Sequence, residues 1–203
     1  MLTGSGKGFC AGMDLKAFVA GERSHAGDRG FAGIIERAAT KPLIAAVEGF
    51  AVAGGLEIAL ACDLIVAARG ARLGIPEVKR SLVAAGGGLF RLPRALPRNV
   101  ALELALTGDP IGAERAYELG LVNRLAEPGQ ALTAALELAD AIAVNAPLAL
   151  GATKRIMVES PDWPDSEFFS RQADIIGPVM ASEDAREGAQ AFAEKRSPIW
   201  KGR

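Results

Sequence analysis

Two apolar runs separated by a glycine pair and a short helical stretch constrain the fold of this chain more than any other feature. The first run covers residues 43–47 and ends at the Glu48-Gly49 turn, and the second covers residues 64–68. Between them, residues 54–62 begin with two glycines and continue with helix-forming side chains. Bounded apolar runs of this length predict buried strands. A strand, a helix and a second strand in this order predict a parallel sheet covered by helices.

The same region favours a protein core over a membrane span. Glu48, Glu57 and Asp63 interrupt residues 43–68 before the roughly 20 consecutive apolar residues that a membrane helix needs. Lys and Arg number 23 against 24 Asp and Glu, so the formal net charge is -1. A near-neutral chain has no global attraction to nucleic acid or anionic lipid. We therefore expect neither nucleic acid nor a membrane as a partner.

Cysteine content and the amino terminus bear on location and metal binding. Cys10 and Cys62 are too few for a disulfide framework and suit a reducing cytoplasm. The amino terminus lacks a basic segment followed by an apolar stretch, so no secretory signal is expected. The sequence therefore predicts a cytoplasmic protein. No cluster of residues has metal-ligand spacing, and no metal is expected.

The second half of the chain is dominated by helical periodicity. A glycine triplet at residues 86–88 precedes it, and a short edge strand is predicted at residues 121–124. Prolines, Pro178 among them, stand where helices are expected to start or stop. Residues 16–29 indicate a mobile surface segment that leads into a helix at residues 31–39. The predicted helices of the second half are residues 100–106, 113–119, 132–144, 148–159 and 184–195.

Glycine-rich loops at residues 9–15 and 49–55 allow two interpretations. Both place small residues where a strand gives way to a helix or turn, so the backbone can approach a ligand closely. The simpler interpretation is that the glycines only permit tight turns. The other is that free N–H groups at a helix start bind an anionic group. Nucleotide-binding patterns are not matched, because Gly8 follows Lys7 where a Ser or Thr is required.

The strings LTGSGKGFCAGMDL, GFAVAGGLEIALACDLIVA and GIPEVKRSLVAAGGG resemble the crotonase, or enoyl-CoA hydratase/isomerase, family in the same order. The similarity continues through LTGDPIGAERAYELGLVNRL to AFAEKRSPIWKGR and covers essentially the whole chain. It implies an α/β fold with a ββα spiral core over residues 1–125 and a helical oligomerisation region over residues 126–203. Because this chain begins inside the first motif, we expect the family's N-terminal strands to be missing. The resemblance also implies a homotrimer, or a hexamer built from two trimers.

The resemblance further implies which residues hold the substrate. In the family, backbone N–H groups at positions matching Met13 and Gly54 bind the thioester oxygen of an acyl-CoA and form an oxyanion hole. Coenzyme A is then part of the substrate, and no separate cofactor is expected. The substrate-binding positions that the motifs imply are Ala11, Met13, Asp14, Leu15, Lys16, Gly54 and Pro76.

Two glutamates separate hydratases from other members of this family, and both are present as Glu57 and Glu77. Two carboxyl groups in one apolar cavity cannot both ionise freely, so one is expected to hold a proton and the other to act as base. We expect Glu57 to help activate water and Glu77 to protonate the α-carbon, although the roles can be exchanged. Without the motifs, Glu57 would be an acidic helix-start residue and Glu77 a solvated loop residue.

The sequence therefore predicts an enoyl-CoA hydratase that acts in fatty acid metabolism. Two alternatives remain open. An enoyl-CoA isomerase needs the same oxyanion hole with as few as one carboxylate. A non-catalytic acyl-CoA-binding protein would keep the glycine loops without turnover. The chain has Ala84-Ala85 where hydratases of the family often have Pro-Gly, and this difference affects the shape of the acyl pocket.

Overall fold

The chain folds into two compact units in a computed structural model that describes residues 1–22 and 25–203. The first unit comprises Met1–Ala39 with Leu43–Ala139, and the second comprises Thr40–Pro42 with Asp140–Arg203. The boundary expected between residues 125 and 126 stays a prediction.

In the part of the chain that the structure describes, seven strands form two sheets, and all seven lie in the first unit. They are β1 (Leu2–Thr3), β2 (Ile44–Val47), β3 (Phe50–Val52), β4 (Leu64–Ala68), β5 (Arg72–Gly74), β6 (Ile111–Gly112) and β7 (Arg124–Ala126). The first sheet has the order β1-β2-β4-β7, and all of its neighbours pair in parallel. In the second sheet, of order β3-β5-β6, β5 pairs in parallel with β3 and antiparallel with β6.

The parallel sheet predicted from the two apolar runs is confirmed. All four residues of β2 are buried, and so are four of the five residues of β4. Burial without alternation is expected when both faces of a parallel sheet are covered. The sequence predicted a helix directly after the first strand. The structure has an additional strand, β3, between β2 and that helix, and β3 belongs to the second sheet. The predicted edge strand is present as β7, shifted toward the carboxyl terminus.

The helices match the predicted periodicity closely in the second half of the chain. They are α1 (Leu15–Val19), α2 (Gly54–Ala61), α3 (Gly88–Ala95), α4 (Arg98–Thr107), α5 (Ala113–Glu118), α6 (Ala131–Ala143), α7 (Pro147–Glu159), α8 (Phe168–Met180) and α9 (Glu183–Glu194). Shorter 3-10 helices cover Gly27–Arg29, Pro76–Arg80, Ser160–Asp162 and Asp165–Glu167. In the described part of the chain, no single helix is long and apolar enough to cross a membrane.

Two predictions of local structure were wrong. Residues 31–39 form turns and bends instead of a helix, and Ala32 has a φ of 53° that an α-helix cannot accommodate. Pro178 lies inside the last turns of α8 instead of marking its end. The surface segment expected at residues 16–29 contains α1, capped by Asp14, and residues 23 and 24 lie outside the described residues.

In the second unit, the carboxyl-terminal tail is held by acidic side chains of α9. Asp184 is buried and accepts hydrogen bonds from the backbone N–H groups of Lys201 and Gly202, at 2.7 and 2.9 Å. Glu187 accepts two hydrogen bonds from the guanidinium of Arg196, at 2.6 and 2.9 Å. The indole N–H of Trp200 donates to the Val144 carbonyl at 2.8 Å. The tail is thus attached by charge and by backbone hydrogen bonds.

We expect this attachment to weaken in acid. Hydrogen bonds from Arg196 and from the Ile199 N–H lower the pKa of Glu187 from 4.5 to about 2. A carboxyl whose pKa is lower in the folded state stabilises that state above about 4.5, and this contribution is lost as the pH falls through about 2. In a Trp163→Phe background, Trp200 fluorescence should therefore change within this window. The change should be smaller in Glu187→Gln, and an identical titration in both proteins would contradict the assignment.

Candidate active site

A cavity of about 460 Å³ lies in the first unit, where the glycine-rich loops meet. Most of its wall is apolar and comes from loops, turns and helices. Its lining includes Met13, Leu15, Phe18, Phe31, Ile35, Val52, Leu82 and Val83, together with Ala11, Ala53, Gly54, Pro76, Ala85 and Gly86. Among the described residues, the titratable and charged side chains on the wall are His25, Glu57, Glu77 and Arg80. An apolar cavity with a few convergent polar groups is the usual form of a small-molecule site.

The two glycine-rich loops touch each other at Gly12 and Gly54. Gly12 has a φ of 92°, and a Cβ placed on it would lie 2.8 Å from the nitrogen of Gly54. Only glycine permits this approach at this backbone angle. Within the described part of the chain, no hydrogen bond uses the N–H of Met13 or of Gly54 as donor. Two neighbouring N–H groups are therefore available where α2 begins.

Ala53, which precedes Gly54, has an unusual backbone conformation. Its φ of 52° and ψ of -132° lie in a backbone region that residues other than glycine rarely adopt. Such a conformation costs roughly 1–3 kcal/mol and persists only where the surroundings hold it. Here the Ala53 N–H donates to the Gly74 carbonyl at 2.9 Å, and the Ala53 carbonyl accepts from Leu56 and Glu57. The sharp turn lets α2 begin directly at the cavity wall.

Glu57 lies in the first turn of α2, three residues after Gly54, and is only 4% exposed. Its Oε1 accepts a hydrogen bond from the Gly88 N–H at 2.9 Å. Gly88 is the first residue of α3, so the carboxylate lies at the positive end of that helix. The carboxylate is thus buried but hydrogen-bonded at the cavity wall.

Glu77 reaches the same cavity from the 3-10 helix Pro76–Arg80, but in a different environment. Its Oε2 is buried, and no group in the described part of the chain hydrogen-bonds to it. Burial raises the pKa of Glu77, a hydrogen bond from its own backbone N–H opposes the rise, and the charge of Glu57 adds to it. Burial therefore favours the protonated form of Glu77.

The structure brings most of the sequence-predicted site residues together. Ala11, Met13, Leu15, Gly54, Pro76 and both glutamates line the cavity. Asp14 and Lys16 do not. The Asp14 carboxylate accepts hydrogen bonds from the backbone N–H groups of Lys16 and Ala17, and so caps α1. These two positions serve the start of α1 rather than the cavity wall.

Sequence reasoning missed three parts of the site. Phe31 and Ile35 belong to the segment whose helix prediction was wrong, and both line the cavity. His25, within the surface segment expected at residues 16–29, is largely exposed and yet contributes to the lining. The glycine triplet at residues 86–88 contacts Glu57, and the sequence did not predict this contact. Three consecutive residues without side chains, close in sequence to Glu77, were the feature that could have indicated a close approach to another side chain.

The arrangement suits a reaction in which negative charge develops on a carbonyl oxygen. Two adjacent backbone N–H groups can stabilise such an oxygen without reorganisation. Two carboxyl groups in different environments on the same cavity can supply one base and one acid. A substrate that fills this apolar cavity displaces water, and a drier site strengthens both effects.

Comparison with known proteins places these features in one family. The sequence pattern described as enoyl-CoA hydratase/isomerase matches residues 1–203. Enoyl-CoA hydratase EchA19 of Mycobacterium tuberculosis is 47% identical over an alignment 210 residues long, which covers 100% of this chain and 79% of that protein. A carnitinyl-CoA dehydratase of Salmonella typhi is 44% identical over an alignment 211 residues long, which covers 100% of this chain and 81% of that protein. The crystal structure of an enoyl-CoA hydratase from Mycobacterium tuberculosis H37Rv superposes with a TM-score of 0.97 at 62% identity, covering 100% of this chain and 80% of that one.

Proposed function

Because the chain belongs to the enoyl-CoA hydratase/isomerase family, we propose that it adds water across the 2,3 double bond of an α,β-unsaturated acyl-CoA thioester. Its relatives are named as hydratases and dehydratases, and the chain is an enzyme of the hydro-lyase class that acts in acyl-CoA metabolism. Coenzyme A enters as part of the substrate, and the proposed reaction requires no further cofactor.

One observation carries the proposal: two carboxyl groups in different environments share a cavity with a pair of backbone N–H groups. Hydration of a conjugated thioester passes through an enolate-like species whose charge lies on the thioester oxygen. We assign the N–H groups of Met13 and Gly54 to that oxygen, and the close approach of Gly12 to the Gly54 nitrogen beside the cavity supports the assignment. Each such donor is worth roughly 3–4 kcal/mol of barrier in other enzymes.

The two glutamates then divide the remaining chemistry. Glu57, hydrogen-bonded by Gly88, is assigned as the base that takes a proton from water as its oxygen attacks the β-carbon. Glu77, which burial favours in its protonated form, gives its proton to the α-carbon. We also assign substrate binding to Ala11, Leu15 and Pro76, and their position on the cavity wall supports this.

The decisive experiment follows the absorbance of the conjugated thioester in crotonyl-CoA and in longer enoyl-CoAs, with identification of the product. A hydratase removes the absorbance and yields the 3-hydroxyacyl-CoA. An isomerase would instead yield an enoyl-CoA with its double bond moved, and a binding protein would bind acyl-CoA tightly without product. Because relatives are named as carnitinyl-CoA dehydratases, carnitinyl-CoA belongs in the substrate panel.

We also expect the protein to form a homotrimer, or a hexamer built from two trimers. Several large apolar side chains of the second unit are exposed by more than two thirds, which is typical of association surfaces. They include Met157 (71%), Phe169 (78%), Met180 (73%) and Phe192 (87%). Analytical ultracentrifugation at micromolar concentration should give the mass of three or six chains, and a stable monomer would contradict this. A cytoplasmic location, expected from the two cysteines, stays a prediction.

A further inference from the structure

The side chain of Arg91 folds back from α3 toward the active-site cavity. Its guanidinium donates hydrogen bonds to two carbonyl groups, that of Gly86 at 3.3 Å and that of Ile35. Ile35 and Gly86 both line the cavity, and they are distant in sequence. One planar side chain thereby joins the turn before α3 to residues 31–39, which supply a neighbouring part of the cavity wall.

The turn that Arg91 holds is the one that contacts Glu57. A Cβ placed on Gly86 would lie 2.5 Å from Oε2 of Glu57, and the Gly88 N–H donates to Oε1. The peptide of Gly86 therefore lies between the guanidinium and the carboxylate. Any movement of Arg91 that shifts this turn also shifts the hydrogen bond that positions Glu57.

The position of the Arg91 guanidinium is unfavourable for α3 when other groups are not considered. The guanidinium returns to the N-terminal end of α3, where the helix dipole repels positive charge. Burial lowers the pKa of Arg91, and the charge of Glu57 opposes that effect. A half-buried cation in such a place is stabilised by an anion nearby, and Glu57 supplies it. Among the residues that the structure describes, the other charged or titratable groups facing this cavity are His25, Glu77 and Arg80.

We propose that Arg91 is a positioning residue for the reaction, which fixes the Gly86–Gly88 turn against Glu57 and sets a cation near its carboxylate. This inference rests on the proposed hydratase function and deepens it, because it names the side chain that holds the proposed base at the cavity wall. Glu57 receives a helix N-terminus, an N–H donor and the Arg91 cation. The buried Oε2 of Glu77 has no hydrogen-bond partner within the described residues.

The test compares three variants. Arg91→Met keeps much of the length of the side chain but removes its charge and both hydrogen bonds. Arg91→Lys keeps the charge but cannot bridge the two carbonyl groups in the same way. Arg94→Met is the matched control, because Arg94 lies on the same helix with its guanidinium 3.9 Å from the centre of the Phe90 ring. His25 and Arg80 are the same in all three variants, so their charges cannot cause differences between them.

The pH profile of kcat is the first measurement. Loss of the cation disfavours ionisation of the carboxyl pair, so the acidic limb of the profile should move to higher pH by about one unit in Arg91→Met. In Arg91→Lys the limb should stay near its original position, although the protein loses thermal stability. Arg94→Met should match the unchanged protein. Equal loss of activity in Arg91→Met and Arg91→Lys, with no movement of the limb, would reduce Arg91 to a structural role and overturn the proposal.

Infrared difference spectroscopy provides a second measurement that needs no turnover. The carbonyl stretch of a protonated carboxyl is distinct from carboxylate bands, so its pH titration reports the ionisation of the buried pair directly. In a Glu77→Gln background, the band of the protonated carboxyl should persist to higher pH in Arg91→Met than with Arg91 present, and Arg94→Met should not change it. An unchanged titration would overturn the proposal. Absence of hydration by the unchanged protein would instead contradict the proposed function, while this spectroscopic result still decides the role of Arg91.

Discussion

Glu57→Gln and Glu77→Gln are each expected to lower kcat by about 10²–10⁴-fold, the usual range for removing a positioned acid or base. Glutamine has nearly the size of glutamate but can neither accept nor deliver the proton. Affinity for the acyl-CoA should change little, because the N–H groups of Met13 and Gly54 remain in place. Steady-state rates with the best enoyl-CoA substrate, and binding of a saturated acyl-CoA, measure the two effects separately.

The double variant distinguishes concerted action from independent contributions. If the two carboxyl groups act as a unit, the combined loss should be far smaller than the product of the single losses. Glu36→Gln is the control, since it removes a carboxylate near His25 at 3.9 Å without touching the proposed acid or base. Near-normal hydration by either single variant, on folded protein, would contradict the mechanism. A pure isomerase that uses only Glu77 should tolerate Glu57→Gln much better.

Stability should respond to Glu77→Gln in the opposite direction to activity. Burial raises the pKa of Glu77, so the contribution of this carboxyl to the stability of the folded protein is present at low pH and is lost as the pH rises through the raised pKa. Glutamine does not ionise, so the variant does not lose this stability at neutral pH. Glu77→Gln should therefore melt at a higher temperature than the unchanged protein at neutral pH, and the difference should shrink in acid.

Gly12→Ala is expected to lower kcat by about 10²–10³-fold, as loss of an oxyanion donor does in other enzymes. The new methyl group would lie 2.8 Å from the nitrogen of Gly54 and 3.0 Å from the Cβ of Ala53, so the two loops must separate. Their N–H groups then no longer converge on one oxygen. Steady-state kinetics and the melting temperature should be measured on the same preparations.

Gly120→Ala is the matched control for Gly12→Ala. Gly120 has a φ of 85° and no atoms within 4 Å of a Cβ placed on it, so alanine there introduces the same kind of backbone strain without a collision. It should cost stability and leave kcat unchanged. If Gly12→Ala and Gly120→Ala lose activity to the same extent, backbone strain would explain the loss. The close approach of the two glycine-rich loops would then not matter for catalysis.

The sequence predicted those parts of the site that depend on local spacing. Glu57 could be placed beside Gly54 because three residues in the first turn of a helix fix their relative position. The partners of Glu57 could not be predicted in this way. Gly88 and Arg91 reach it across more than 30 residues, through a turn whose conformation no local pattern fixes.

The failure at residues 31–39 has a related physical cause. Their side chains have helical periodicity, but Ala32 adopts a left-handed backbone angle, and Phe31 and Ile35 are used for the cavity wall. Tertiary packing outweighed local propensity there. The buried strands and the helices of the second half were predictable because their apolar side chains repeat with the period of the structure they form.

The strained alanine at the start of α2 has a consequence for how freely this loop can vary. A positive φ penalises every side chain, branched ones most, and the Cβ of Ala53 already stands 3.0 Å from where a methyl group on Gly12 would lie. Among single replacements, only glycine relieves the strain without adding volume. In a saturation library, active variants should therefore carry only alanine or glycine at position 53. The residues accepted at position 53 should also depend on the residue at position 12.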